Sequence, residues 1–97
     1  MKITKRNIDK IKKLFEGSPV DRAYIFGSYA RGEAGKNSDI DILVELNYNQ
    51  HIGLRIIKLK NDLEDIFNKP VDLLTSNAVS KHIQPFIEVD KQLIYER

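Results

Sequence analysis

Two aspartates separated by one residue are the strongest chemical signal in the sequence. Asp39 and Asp41 stand at the head of an apolar run with aliphatic residues at positions 40, 42 and 44. Successive side chains of a β-strand point to opposite faces, so both carboxylates are predicted to share one face. Like charges on adjacent same-face positions repel each other, which suits a divalent-cation site better than a core.

A third carboxylate, Asp72, lies inside the apolar segment 71–74, which is predicted to be a central strand. An aspartate in such a strand is disfavoured by propensity and by the cost of burial. If this strand lies beside that of Asp39 and Asp41, three carboxylates converge. They could hold two Mg²⁺ ions about 3.5–4 Å apart, which clamp the attacking and leaving oxygens of a displacement at phosphorus.

Gly27 and Ser28 directly follow a predicted apolar strand at 22–26, and ten residues separate them from Asp39. A glycine lets the backbone approach a phosphate closely, and a serine at a helix N-terminus offers a hydroxyl and N–H groups to an anion. Ser28 is predicted to cap a short helix that runs to about Arg31.

Each of these features also has a purely structural explanation. The aspartate pair could be a strand end that faces water, Gly27 and Ser28 a plain helix cap, and Asp72 a strand-edge residue bonded to a turn. Their combined order is more specific than any part: strand, Gly-Ser, Asp-x-Asp in a strand, helix, and Asp in a strand.

Helical and strand patterns alternate along the chain, which favours an α/β fold with helices covering a sheet. Helices are predicted at 4–16 and 52–67, with a further helical segment at 78–89 that is broken near Pro85 and restarts around Gln84. A loop is predicted at 32–38, which contains Gly32, Gly35 and Asn37. Strands are predicted at 22–26, 39–45 and 71–74, with a final strand or ordered tail at 92–95.

The composition bounds the class of protein. A chain of 97 residues is enough for one domain, predicted to span 1–97. The net charge of +2 argues only weakly for nucleic-acid binding, and the lack of cysteine excludes thiolate metal sites. We expect no signal peptide and no membrane span, and a cytoplasmic location.

The segments GSYARG (27–32) and SDIDILV (38–44) together resemble the motif of the polymerase-beta-type nucleotidyltransferases. The chain is most similar to the minimal nucleotidyltransferases, the MntA-like antitoxins encoded beside a HEPN-domain toxin. The resemblance extends from the first strand to about Leu74. It implies the family's palm fold, with a mixed sheet of three to four strands and helices packed chiefly on one face.

The resemblance also implies roles for individual residues. Gly27 and Ser28 would bind the nucleoside triphosphate, and Arg31 would touch it. Asp39 and Asp41 would ligate two Mg²⁺ ions, for which Mn²⁺ could substitute. Asp72 would be the third ligand and would help to deprotonate the attacking hydroxyl.

The implied activity is transfer of AMP from ATP to a tyrosine hydroxyl of a HEPN-type toxin, which silences the toxin. One alternative is a catalytically idle antitoxin that neutralises its partner by binding alone. Another is nucleotide transfer to a small molecule such as an aminoglycoside, which we expect less because the chain shows no second helical domain. Nucleic acid is likewise not expected as a partner.

Overall fold

The computed structural model describes residues 4–33, Gly35 and residues 38–97. Within these residues, the helices are α1 (Lys5–Glu16), α2 (Arg55–Phe67) and α3 (Gln84–Asp90), with a 3₁₀ helix at Ser76–Ala78. The strands are β1 (Val20–Phe26), β2 (Ile40–Leu46), β3 (Val71–Thr75) and β4 (Gln92–Glu96). The predicted alternation of helices and strands is confirmed. The loop predicted at 32–38 is described only in part, because Ala34, Lys36 and Asn37 lie outside the described residues.

The four strands form one mixed sheet in the order β3-β2-β1-β4. β1 runs antiparallel to both β2 and β4, whereas β2 and β3 are parallel. A parallel pair needs a long crossover, and α2 supplies it. The prediction that Asp72 lies in a central strand is therefore wrong, because β3 forms an edge of the sheet. At this edge Asp72 remains exposed, so its carboxylate avoids the burial cost expected for a central strand.

The amphipathic helices α1 and α2 cover one face of the sheet and form the core with it. The helices contribute Ile11, Phe15, Leu59 and Leu63, all buried, and the facing strand residues are Ala23, Ile25, Ile40, Ile42, Val44 and Val71. The Thr4 hydroxyl accepts a 3.2 Å hydrogen bond from the Asn7 N–H, which caps α1 as predicted. None of the helices in the described part of the chain is long and apolar enough to cross a membrane.

The opposite face of the sheet carries α3. Leu43 of β2 and Ile87 of α3 are both buried and line the same small cavity. The outer side of α3 stays open to solvent, with Phe86 72% and Val89 85% exposed, and Ile83 directly before the helix is 50% exposed. Two helices on one face and a short third helix on the other confirm the predicted mixed sheet with helices chiefly on one face.

The second long helix begins later than predicted. Its periodic apolar stripe suggested a start at Ile52, but Gly53 has a left-handed conformation (φ 45°) and α2 begins at Arg55. The Arg55 side chain donates a 3.0 Å hydrogen bond to the carbonyl oxygen of Gly17, at the C-terminal end of α1. This contact joins the two helices at the end of the core.

Candidate active site

Two of the predicted carboxylates are direct neighbours in the sheet. Asp41 of β2 and Asp72 of β3 are register partners in the parallel pair. Paired residues on adjacent strands project from the same face, so both side chains lie on the face that carries α3. The strand pairing, which joins positions distant in sequence, thus brings together two of the three carboxylates predicted from the sequence.

Asp39 lies just outside the sheet, because β2 begins at Ile40 and not at Asp39 as predicted. Its side chain is exposed. Its charge still reaches Asp41, where it acts more weakly than that of Asp72. The structure therefore places Asp41 and Asp72 side by side and leaves Asp39 exposed, directly before β2.

The pKa of Asp41 is raised above its ordinary value. Partial burial of the carboxyl group is the largest cause, followed by the negative charges of Asp72 and Asp39, while Arg31 acts in the opposite direction. Burial and like charges both penalise the ionised form. A cation bound among these groups would offset the repulsion from the negative charges of Asp72 and Asp39.

The chemistry of the Asp39, Asp41 and Asp72 carboxylates fits Mg²⁺. The side chains are hard oxygen donors, and Asp41 carries an electrostatic strain that a divalent cation relieves. Within the described part of the chain, no three acidic or histidine side chains are already arranged as a metal cage. The predicted convergence of three carboxylates is thus only partly formed. Mg²⁺ commonly takes one or two carboxylates and completes its shell with substrate phosphates and water.

The segment after β1 is a tight turn and not the short helix predicted for residues 28–31. Gly27 has a φ of 74°, and the Arg31 N–H donates to its carbonyl oxygen at 3.1 Å. The Glu33 N–H then donates to the Ser28 carbonyl oxygen at 2.9 Å. The prediction failed because only one helical turn closes before Gly32, with a φ of 72°, enters the left-handed region and ends it. Ser28 therefore has no helix to cap.

This turn, residues 27–32, lies directly against the Asp41 carboxylate. Phe26 is the register partner of Asp41, so Gly27 leaves the sheet beside it. A Cβ atom placed on Gly27 would overlap Asp41 Oδ2. The structure thus brings the two halves of the sequence motif, the Gly-Ser turn and the Asp-x-Asp strand, into van der Waals contact.

Arg31 is held by two acidic side chains. Its Nε donates to Glu33 at 3.0 Å, and an Nη1 hydrogen bond of 2.6 Å reaches Asp90 at the end of α3. These carboxylates raise the pKa of Arg31 further above its already high value. A guanidinium group has five N–H donors, so it can keep both partners and still donate to a phosphate.

Tyr29 packs inward against the core cluster. Lys69 Nζ lies 5.7 Å from the centre of its ring. The Tyr29 hydroxyl is buried and has no hydrogen-bond partner among the described residues. The sequence suggested either stacking on a nucleotide base or packing for Tyr29, and the structure shows packing.

Three residues that support the site were missed from the sequence. Glu64 of α2 accepts a 2.9 Å hydrogen bond from the Val71 N–H and so fixes the start of β3, one residue before Asp72. Asp90 holds Arg31, and the Gln92 side-chain amide donates to the Ala30 carbonyl oxygen at 2.8 Å. The last two contacts join residues about sixty positions apart, and no local pattern could reveal them.

A family model and several known proteins match this chain. The family model described as polymerase beta, nucleotidyltransferase, matches residues 9–97. A candidate protein adenylyltransferase of Methanocaldococcus jannaschii is 44% identical over 77 residues, which cover 75% of this chain and 82% of the relative. The protein adenylyltransferase MntA of Thermococcus cleftensis is 38% identical over 72 residues, 74% of this chain and 72% of that protein.

A solved structure described as a toxin-antitoxin with AMP-PNP superimposes on this chain with a TM-score of 0.77 and 26% sequence identity. The superposition covers 94% of this chain and 74% of that one. The similarity therefore extends over nearly the whole chain and not only over the motif.

Proposed function

Because the chain belongs to the polymerase-beta nucleotidyltransferase family, we propose that it transfers AMP from ATP to a tyrosine hydroxyl of a HEPN-type toxin. The observation that carries this proposal is the pairing of Asp41 with Asp72 on the face against which the Gly27 turn packs. The relatives named as protein adenylyltransferases support AMP and a protein acceptor.

In the proposed reaction the acceptor oxygen attacks the α-phosphorus of ATP in line with the leaving group. A new O–P bond forms, the bond between the α-phosphorus and its bridging oxygen breaks, and pyrophosphate leaves. Bound Mg²⁺, or Mn²⁺ in its place, neutralises phosphate charge and orients the phosphate oxygens. Catalysis of this kind depends mainly on positioning and on charge stabilisation.

The chain's own residues have distinct parts in this proposal. Asp39, Asp41 and Asp72 would hold two metal ions, with Asp72 also accepting the proton of the attacking hydroxyl. The exposed position of Asp72 at the sheet edge leaves room for an acceptor from another protein.

The turn would hold the triphosphate. Gly27 brings its backbone close to the carboxylate site without a side chain in the way. Ser28 would donate its hydroxyl to the phosphates. Arg31 would donate the guanidinium N–H groups that are not already bonded to Glu33 and Asp90.

A protein acceptor also fits the surface near the site. Exposed apolar side chains lie at Phe86 and Val89 of α3 and at Ile83 directly before it, on the face of the sheet that carries Asp41 and Asp72. Exposed apolar side chains grouped within one short segment are typical of protein–protein contacts. A small-molecule acceptor such as an aminoglycoside, which is strongly cationic, would gain little from them.

The test measures transfer of label from α-labelled ATP to a co-expressed HEPN-type partner. Asp39→Asn combined with Asp41→Asn should abolish labelling while the complex with the partner still forms. Asp62→Asn combined with Asp65→Asn, which removes two carboxylates from α2 on the other face, is the matched control and should retain labelling.

Neutralisation of the partner in cells decides between an enzyme and a binding module. If the Asp39→Asn, Asp41→Asn variant still protects cells fully, the protein acts by contact alone and the catalytic proposal fails.

A further inference from the structure

We infer that Asp90 and Gln92, at the junction of α3 and β4, are positioning residues that hold the nucleotide-binding turn and direct Arg31 towards the triphosphate. The inference rests on the proposed function for the identity of the ligand. The contacts themselves stand independently of it, and neither residue belongs to the motif.

The first contact is the ion pair between Arg31 and Asp90. Its 2.6 Å length is that of a short charge-assisted hydrogen bond. The Asp90 side chain is only 16% exposed, whereas that of Arg31 is 44% exposed. The carboxylate is therefore the better fixed partner, and the arginine is the one whose direction it sets.

The second contact fixes the backbone of the same turn. The Gln92 side-chain amide donates a 2.8 Å hydrogen bond to the Ala30 carbonyl oxygen, one residue before Arg31. Gln92 is itself anchored in the sheet, where it is the register partner of Ile25 in β1. The junction thus contacts the turn at two adjacent residues, at the side chain of Arg31 and at the main-chain carbonyl group of Ala30.

The junction is itself fixed through Lys91, which lies between Asp90 and Gln92. The Lys91 N–H donates to the Ile87 carbonyl oxygen at 2.8 Å, and Lys91 Nζ lies 4.6 Å from the centre of the Tyr24 ring. Ile87 is buried against the sheet. Asp90 and Gln92 flank this anchored lysine, so they are held by the sheet rather than by the turn that they contact.

Positioning and simple electrostatics make opposite predictions for Asp90→Asn. Removal of a negative charge near a triphosphate site should tighten ATP binding if charge alone matters. If Asp90 directs Arg31, the substitution should weaken ATP binding by about fivefold, near the upper range for a partly exposed ion pair. Glu88→Gln is the matched control, because Glu88 is an acid of the same helix that pairs with Lys91 and not with the turn.

A double-mutant cycle tests whether Asp90 acts through Arg31. Asp90→Asn should weaken ATP binding in the wild-type background and have no further effect in an Arg31→Gln background. Equal effects in both backgrounds, or tighter binding for Asp90→Asn and Glu88→Gln alike, would overturn the inference.

Amide hydrogen exchange of the free protein provides the measurement that does not depend on nucleotide. The Arg31 and Glu33 N–H groups close the turn, and Gln92→Ala should speed their exchange by about fivefold. The Ile8 amide in α1 should not change. Unchanged exchange at both turn amides would overturn the positioning role while leaving the proposed function intact. If wild-type protein binds no ATP while Gln92→Ala still speeds exchange at these amides, the proposed function is overturned, and only the contact between the α3–β4 junction and the turn stands.

Discussion

The carboxylate of Asp41 occupies the space that a side chain at position 27 would fill. A Cβ atom on Gly27 would overlap Asp41 Oδ2 and lie 3.3 Å from Asp41 Cγ. The two residues stand fourteen positions apart in the sequence and meet because Phe26 pairs with Asp41 across β1 and β2. Gly27 is therefore required both by its left-handed backbone and by the position of its neighbour.

Gly27→Ala should cost about 1–2 kcal/mol of stability through its positive φ and should also displace the Asp41 carboxylate. We therefore expect a large loss of nucleotidyl transfer in addition to the lower melting temperature. Gly32→Ala is the matched control, since Gly32 has a φ of 72° and no described atom within 4 Å of an added Cβ. Comparable transfer rates for both variants at a temperature where both are folded would contradict this prediction.

The raised pKa of Asp41 predicts a pH dependence of stability in the metal-free protein. The folded protein holds the Asp41 proton more strongly than the unfolded chain, whose pKa is near the ordinary value of 3.8. The associated stability is present below pH 3.8 and is lost as the pH rises through the raised pKa. Asp41→Asn should abolish this part of the decline, which urea unfolding in EDTA across pH 3.5 to 7 measures. Parallel pH profiles for the two proteins would contradict the prediction.

Metal should stabilise the fold, because a cation bound at Asp41 and Asp72 relieves their repulsion. At an Mg²⁺ or Mn²⁺ concentration near 100 times the dissociation constant, the gain in unfolding free energy is ~2.7 kcal/mol. Thermal melts with and without metal measure it, and Asp41→Asn is the control that should respond much less. An equal shift in wild type and variant would mean that the metal binds elsewhere.

Ser28 should matter for transfer rather than for stability. No helix begins at Ser28, so Ser28→Ala should lack the stability loss of about 1 kcal/mol that removal of a helix cap brings. If its hydroxyl binds the triphosphate, Ser28→Ala loses a hydrogen bond to a charged group, worth roughly 1.5–3 kcal/mol, or a ten- to hundredfold loss of catalytic efficiency. Ser28→Asn, which is bulkier beside Gly27, should be at least as damaging. Near-normal transfer by both variants would remove Ser28 from the site.

The sequence alone determined the family, the alternation of elements and the residues that could do chemistry. These are local properties: period-2 and 3.6-residue hydrophobic patterns, a glycine and a serine after a strand, and aspartates within apolar runs. The membership predicted from residues 27–32 and 38–44 is confirmed by the family match over residues 9–97. The roles of Asp39, Asp41, Asp72, Gly27, Ser28 and Arg31 stay predictions.

Local patterns were misleading where the chain turns. The sequence around Ser28 suits a capped helix, but the segment ends after one turn at the left-handed Gly32. The apolar segment around Asp72 suggested a central strand, although β3 lies at the sheet edge. Strand order is not encoded in the period of one segment, because it depends on which strands pair and on the path of the crossover through α2.

The tertiary structure alone decided which residues meet at the site. In the folded chain Asp41 pairs with Asp72 in register, and Gly27 packs against Asp41. Asp90 and Gln92 contact a turn about sixty residues earlier in the chain. The physical reason is that a side chain reaches only a few ångströms, whereas contacts between distant segments exist only once the sheet and its covering helices have assembled. The sequence supplied the chemical groups, and the packing of α3 and β3 on the central strands set their arrangement.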